Sequence, residues 1–414
     1  MITLGARRLL LALALAGGLP AGQAAGQEPA PAPEPGAELS VALVTVGPGA
    51  RVWERFGHNL IWVRSTTAPL DSVWDWGRFQ FDEGFFLRFA RADLRYWMQG
   101  APGLPVVQWY AGMERRVVVH ELALSPPQRR ALLDALHAND TDAARYYQYH
   151  YYLDNCSTRI RDALDRVLGG AIRARTDTAL TPWSYRDQTK RLNQHNPFLY
   201  FGLTTLLAGA TDRKITAWEE MFLPEGVERW VREIEVAGPG GARVPLVARE
   251  EVVAPGGRYP VPDAPSRWWP GFLATGVAIG ALLAGTGRSR GAWRRGFLPA
   301  AFSWLFLAGI LGVAMVFLWG FSGHQVAWRN ENLLQFNLLP LMLLPVLPAA
   351  WDGSGARGRF GRQLSAAIAG LALAGVALKA VPGFAQANWD VMALAVPAHA
   401  GLWLGIRGGR AARA

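Results

Sequence analysis

Cysteine is nearly missing from this chain. Cys156 stands alone among 414 residues, so no internal disulfide can form and the disulfide-stapled scaffolds are excluded. Charge is scarce as well. Only 18% of the residues are Asp, Glu, Lys or Arg, against about 25% in soluble domains, which argues against a purely soluble enzyme. No cluster with metal-ligand spacing and no glycine-rich phosphate loop occurs, so neither a metal nor a nucleotide cofactor is expected. No internal repeat is evident. What charge there is leans basic, 42 Lys and Arg against 32 Asp and Glu for a net of +10. A basic balance can mark a nucleic-acid binder; where the arginines sit argues instead for a membrane and against nucleic acid.

The N-terminus has the layout of an export signal. Arg7 and Arg8 precede an apolar run from Leu9 to Leu19, followed by Pro20 and the small residues up to Ala25. Positive start, short apolar middle and small-residue end predict a signal peptide over 1–25, with cleavage near Ala24 or Ala25. The run is too short to span a bilayer comfortably. An uncleaved anchor is the alternative, and either places the following domain outside the cytoplasm. No cysteine adjoins the cleavage point, so the chain is not itself expected to be a lipoprotein. Residues 26–37, GQEPAPAPEPGA, form a Pro-rich extended linker.

From 267 to the end the composition is that of a membrane domain. Five apolar stretches follow, at about 268–285, 297–320, 333–350, 364–384 and 389–406. The first connection carries Arg288, Arg290, Arg294 and Arg295, the third Arg357, Arg359 and Arg362, and the tail Arg407, Arg410 and Arg413. The second and fourth are nearly free of cations, apart from Arg329 and Lys379 at their margins. This alternation is the positive-inside pattern. It places the arginine clusters in the cytoplasm and the domain before Trp268 on the outer side of a multi-pass inner-membrane protein, in agreement with the signal.

The exported domain, 38–266, reads as α+β. Residues 40–46, 58–64, 72–81 and 116–122 are rich in β-branched and aromatic side chains and predict strands. Ser125, Pro126 and Gln128 predict a helix start with a capping box, and Leu132, Leu133 and Leu136 its buried stripe. A second helix follows Asn155, with Ile160, Leu164, Val167 and Leu168 on one face and Gly169-Gly170 at its end.

The lone thiol opens that second helix. Asp154 and Asn155 are good caps, so Cys156 falls in the first turn, where unpaired N–H groups and the helix dipole favour an anion. A thiol there ionises more easily and can act as a nucleophile. The ordinary fate of a free cysteine is a small buried apolar side chain, yet exported proteins tend to pair their cysteines or lack them. A nucleophilic thiol needs a base, and there are seven histidines. His58, after Phe56-Gly57 at the head of a strand, is the first choice; Gly57 permits close approach of another segment. His150, in YYQYHYY, is the rival. Asp75, 17 residues after His58 on the next strand, lies at a hairpin-like distance and can orient the imidazole; an exposed strand charge is the alternative.

The segments RFGHNLIWV, VWDWGRFQF, YYLDNCSTRIRD and GATDRKITAWEEMFLPEGV occur in that order over about 40–235. They resemble the exported domain of the Lnb family of bacterial lipoprotein N-acyltransferases, and FSGHQVAWRNENLLQFNLLPL is similar to that family's outer membrane loop. The resemblance implies an α+β papain-like domain, with the His strand before the Cys helix as in permuted NlpC/P60 and lecithin–retinol acyltransferase proteins. It implies Cys156 as nucleophile and His58 as base, with Asp75 where the family often has Asn. Asn155, Ser157, Arg159 and Asp162 fall in the motif around the thiol. Arg159 and Asp162 are expected to pair on one helix face, and the N–H groups of Cys156 and Ser157 to form an oxyanion site. His324, Asn330 and Asn332, on the outer side of the membrane part, are candidates for head-group or acceptor-amine binding; a polar interfacial loop is the alternative. Asp212 and Glu219-Glu220 are either lid residues or a helix cap.

The expected function is transfer of a fatty acyl chain from a phospholipid through a Cys156 thioester to the N-terminal amine of a lipoprotein. Alternatives are an NlpC/P60-like cysteine hydrolase acting on cell wall or phospholipid, and a non-catalytic membrane scaffold.

Overall fold

The computed structural model describes residues 34–238, 241–353 and 355–411; the expected signal peptide and most of the linker lie outside them. The first half is built on an antiparallel sheet. Its strands are β1 (Leu39–Val46), β2 (His58–Ser65), β3 (Asp71–Arg78), β4 (Arg95–Pro102), β5 (Val117–Leu122), β6 (Tyr146–Gln148) and, after two short ribbons, β11 (Val247–Ala254). The ribbons pair β7 (Leu180–Ser184) with β8 (Lys214–Thr216), and β9 (Glu235–Ala237) with β10 (Arg243–Pro245). The large sheet runs β11-β5-β1-β2-β3-β4-β6. Helix α1 (Phe85–Arg91) follows β3 after a short turn, α2 (Gly103–Gly112) leaves β4 directly, and α3 (Pro126–Asn139) and α4 (Cys156–Val167) cross one face.

Strand β1 is apolar on both sides and therefore central. Leu39, Val41 and Leu43 join one core with Leu132, Leu136, Ile160 and Leu164 of α3 and α4, while Ala42, Val44 and Val46 join a second core with Val107 of α2. The alternation follows from the two-residue period of a strand. The α3 start is as expected: Gln128 Oε1 accepts from the Ser125 N–H at 2.9 Å, and Leu132, Leu133 and Leu136 are buried. Strands β4 and β11 carry no sequence signal. RYWMQGAP ends in Gly-Ala-Pro without alternation, and VAREEVVA is a charged edge strand whose residues are mostly exposed.

Further helices are α5 (Ala171–Thr176), α6 (Tyr185–Asn193), α7 (Pro197–Leu206), α8 (Ala217–Glu220) and α9 (Pro224–Glu233). The second half holds α10 (Trp269–Arg288), α11 (Phe297–Gly320), α12 (Leu339–Leu343), α13 (Leu347–Asp352), α14 (Ala356–Ala377) and α15 (Trp389–Ala411). Among the described residues, five segments are long and apolar enough to cross a membrane: 269–288, 292–320, 331–352, 356–380 and 389–409. The third is broken into α12, a 3-10 turn and α13, because Pro340, Pro345 and Pro348 each remove a helical donor. Small residues let α10 and α15 approach closely, Gly280 against Gly401 and Gly287 against Gly405.

The two halves pack as one unit. Their joint is the C-terminal end of α7, whose last carbonyls have no helical partner. Asn330 Nδ2 donates to the Thr205 and Leu206 carbonyls at 2.9 and 3.0 Å, and Asn332 Nδ2 to Thr205 at 2.9 Å. Gln386 Nε2 donates to the Leu207 carbonyl at 3.1 Å, and Tyr200 donates to Asp390 at 3.2 Å.

Candidate active site

Asn155 organises the turn that presents the thiol. Its side-chain oxygen accepts from the N–H groups of Ser157 and Thr158 at 2.9 and 3.0 Å, while its Nδ2 donates to the Tyr151 and Phe222 carbonyls, both at 2.9 Å. Cap and anchor are thus one buried residue. Ile160 and Leu164, both fully buried, hold the helix down at about 1.5–3 kcal/mol each. Asn155→Ala removes the cap and leaves two carbonyls without their donor, which is expected to cost about 2–4 kcal/mol. Thermal unfolding in detergent is expected to fall by roughly 5–10 °C, with Asn155→Asp, which keeps the acceptor, losing less. An unchanged midpoint for the alanine variant excludes the anchoring role.

Cys156 meets the end of β2. The β2–β3 ladder runs from Arg64↔Asp71 to Ile61↔Trp74 and goes no further. Beyond it the strand head opens, and His58 and the backbone N–H of Asn59 both act on the Cys156 sulfur to favour its charge. Two glycines permit this geometry. Gly57 has φ +84°, and a Cβ there lies 2.7 Å from the Val46 carbonyl oxygen, so the expected close approach is present. Gly77, at φ +94°, lies beside Cys156 on the adjoining strand, where a Cβ sits 3.6 Å from that of the cysteine.

The imidazole is held from its other side. His58 Nε2 donates to Asp75 Oδ2 at 2.8 Å, and Arg78 Nε donates to Asp75 Oδ1 at 2.6 Å. With Nε2 engaged, Nδ1 is the nitrogen left for the sulfur. Asp75 is buried, and burial opposes its charge; His58 and Arg78 outweigh that and hold its carboxyl below the usual range. Burial likewise pushes His58 down, but the Tyr110 phenol, the Cys156 sulfur and the Asp75 carboxylate prevail, and its pKa stands well above the ordinary value. Burial also opposes ionisation of Cys156. The His58 charge and hydrogen bond, Ser157 Oγ at 3.7 Å and the Asn59 N–H reverse the balance and hold the thiol below its usual value. Both shifts favour a thiolate beside an imidazolium, a pair that can carry a nucleophilic attack and then protonate a leaving group.

The structure brings Cys156, His58, Asp75 and Ser157 together and engages the remaining expected residues in other contacts. His150 Nδ1 accepts from the N–H groups of Tyr152 and Leu153 at 3.2 and 3.1 Å, which engages it in a local turn. Arg159 does not pair with Asp162. It bonds Asp154 instead and lies 4.3 Å over the Tyr147 ring, while Asp162 bonds Arg161 at 2.8 Å. The Ser157 N–H is taken by the Asn155 cap, so of the two expected oxyanion donors only that of Cys156 lies outside the cap. Asn330 and Asn332 are buried in the α7 joint. His324 Nε2 donates to the Phe89 carbonyl at 2.6 Å, and its Nδ1 faces Tyr151 Oη at 3.4 Å. Asp212 bonds Arg186 and the Ala387 N–H, Glu219 closes a box with Thr216, and Glu220 is buried against Gln188; all three are structural.

Sequence reasoning did not reach Arg78, Asn59, Tyr110 or Arg115. Arg78 is foreshadowed by its place three residues after Asp75. Tyr110, whose ring lies 6.2 Å from that of His58, arrives from α2 with no local signal. Arg115 is buried, donates from Nε to the Gly47 carbonyl at 2.8 Å, stands 5.2 Å over the Tyr110 ring and has a second guanidinium nitrogen without a partner among the described residues. Among those residues no group of His, Cys, Asp and Glu has metal-site geometry.

A family model described as the Lnb N-terminal periplasmic domain matches residues 35–191, and one described as the Lnb transmembrane domain matches residues 278–355. Together they cover more than half of the chain. No curated protein and no solved structure matches it.

Proposed function

This chain belongs to the Lnb family, a multi-span membrane protein with a periplasmic N-terminal domain, and from that premise we propose that it is a cysteine-dependent N-acyltransferase of the inner membrane. The acyl donor is a phospholipid and the acceptor is the N-terminal amine of a lipoprotein. The sheet-based domain is read as a permuted papain-like, NlpC/P60-type catalytic module spanning 38–266, followed by the membrane domain of 267–414. The observation that carries the proposal is the line of thiol, imidazole and carboxylate beside helices long enough to cross a membrane.

The Cys156 thiolate attacks the ester carbonyl of a phospholipid, forming a C–S bond and an oxyanion near the Cys156 N–H. The C–O bond then breaks, and the His58 imidazolium gives its proton to the departing lyso-lipid alkoxide. The neutral imidazole next takes a proton from the acceptor amine as it attacks the thioester. The C–N bond forms, the C–S bond breaks, and thiolate and imidazolium are restored. Asp75 keeps the imidazole in the tautomer and orientation both halves require, and Arg78 keeps Asp75 ionised. The reaction needs no cofactor. Asn330 and Asn332 are assigned to holding the two halves in register rather than to substrate.

Full-length protein in phospholipid vesicles with a synthetic diacylglyceryl-cysteine peptide tests the proposal. Mass spectrometry is expected to show the peptide heavier by one acyl chain, one lyso-lipid released per turnover, and a transient acyl adduct on Cys156. Free fatty acid without N-acyl peptide makes the protein a phospholipase, cleavage of peptidoglycan fragments a wall hydrolase, and absence of any adduct a scaffold.

A further inference from the structure

We propose that α1 and the turn before it form a bilayer-contact surface in the outer leaflet, through which a phospholipid chain reaches Cys156; this deepens the acyl-transfer reading above and its second half rests on it. The segment reads FQFDEGFFLRFAR. None of the α1 residues is buried, and Phe86 is 75% exposed, with Phe81, Leu87 and Phe89 also exposed. A soluble surface seldom leaves such a contiguous apolar patch uncovered.

The place of α1 identifies what covers it. The Gly323 N–H donates to the Arg91 carbonyl at 3.0 Å, and His324 donates to the Phe89 carbonyl at 2.6 Å. The helix is therefore fastened to the connection that leaves the second span at Gly320. At that same level Trp319, Phe321 and Trp328 are exposed, Phe321 by 73%. Apolar and indole side chains at the end of a span face lipid and its head-group boundary. The α1 patch, interrupted only by the Arg88–Asp82 ion pair, is tied to the same connection, so the lipid that meets the end of the span is its neighbour too.

The patch also leads to the thiol. Phe85 stacks on Phe79 at 5.6 Å, Phe79 on Tyr96 at 5.1 Å and Tyr96 on Tyr149 at 4.5 Å. Tyr149 and Cys156 flank Gly77 together, 3.9 and 3.6 Å from the position of a Cβ there. An acyl chain lying along these rings exchanges lipid for aromatic surface and leaves no polar group of its own unpaired on the way to the sulfur.

The lone native cysteine makes the test direct. A Phe86→Cys substitution in a Cys156→Ser background takes a single bimane label, and Asp142→Cys, at an exposed position on the α3–β6 connection, serves as control. The full-length proteins are placed in nanodiscs of phosphatidylethanolamine and phosphatidylglycerol with or without bromine at acyl carbons 6 and 7. Quenching of about twofold or more is expected at 86 and none at 142. With Cys156 intact, Phe86→Asp/Leu87→Asp is expected to slow acyl-enzyme formation from bilayer phospholipid about tenfold, while alkylation of Cys156 by iodoacetamide stays within about twofold of wild type. Equal quenching at the two positions overturns the proposal. So does an acyl-enzyme forming at the wild-type rate in the double variant with only transfer to the lipopeptide impaired, which assigns the patch to the acceptor. Quenching at 86 with no acyl-enzyme in the wild type upholds the bilayer contact and counts against acyl transfer alone.

Discussion

Cys156→Ala protein is expected to fold and to form no acyl-enzyme, with N-acylation of a lipopeptide reduced by at least about 10⁴-fold, the scale on which removal of a covalent nucleophile acts. The fold survives because the thiol contributes little to packing. The helix is held by Ile160 and Leu164 below and by the Asn155 cap at its start, and alanine is well tolerated in a first turn. What disappears is the atom toward which His58 and the Asn59 N–H converge. Intact-mass measurement after incubation with phospholipid reads the adduct, and lipopeptide mass reads the transfer. N-acylation within about tenfold of wild type, in a preparation free of other acyltransferases, defeats the thioester route.

The second large effect is on pH dependence. The Cys156 pKa is lowered in the folded protein, so the stability tied to its ionisation is present above the ordinary thiol value and is lost as pH falls through the lowered one. His58 is raised, so its contribution is present below the ordinary imidazole value and is lost as pH rises through the raised one. Between those limits thiolate and imidazolium coexist, and the two titrate as a pair. Alkylation of wild-type Cys156 by iodoacetamide is accordingly expected to reach its plateau below the usual thiol value of about 8.5. Acyl-enzyme formation is expected to fall off in alkali, where the leaving alkoxide loses its acid.

His58→Gln removes the charge while burial remains, and burial by itself raises a thiol. Its alkylation rate at pH 7 is expected to drop by at least about tenfold, with reactivity returning only above the usual thiol range of about 8.5. Acyl transfer is expected to fall further than alkylation, because the leaving group also loses its proton donor. A His58→Gln protein with the wild-type alkylation profile removes His58 from the mechanism.

Much of this site is readable along the chain because its parts are local signals. A helix-capping Asn beside the sole Cys places the thiol in a first turn, and a glycine before His58 marks a strand head. The 17 residues to Asp75 match two adjoining antiparallel strands, and a carboxylate on the facing strand is within reach of the imidazole. The expected Arg159–Asp162 pair fails for an equally local reason. Asp154, just outside the helix, reaches the guanidinium from the side on which Tyr147 lies, and the spacing rule for a helix face does not see residues before its cap. Asn330 and Asn332 were conspicuous as polar groups near a membrane. Spacing alone did not separate a substrate contact from a clamp on the carbonyls of a helix more than a hundred residues earlier.

Read alone, the order of residues determined the division into an α+β domain and five apolar segments, the alternation of arginines between them, and the three side chains most suited to thiol chemistry. Each is a property of composition or of spacing within one element or one hairpin, where the backbone period sets geometry. Tertiary structure alone decided that the Asn59 N–H, Tyr110 and Arg115 surround the sulfur and the imidazole. It alone decided that α7 is the joint to the membrane helices, and that α1 is fastened at the level where a span ends. Those contacts join segments tens to hundreds of residues apart. Burial and hydrogen-bond satisfaction choose among many possible partners there, and no period in the chain records the choice.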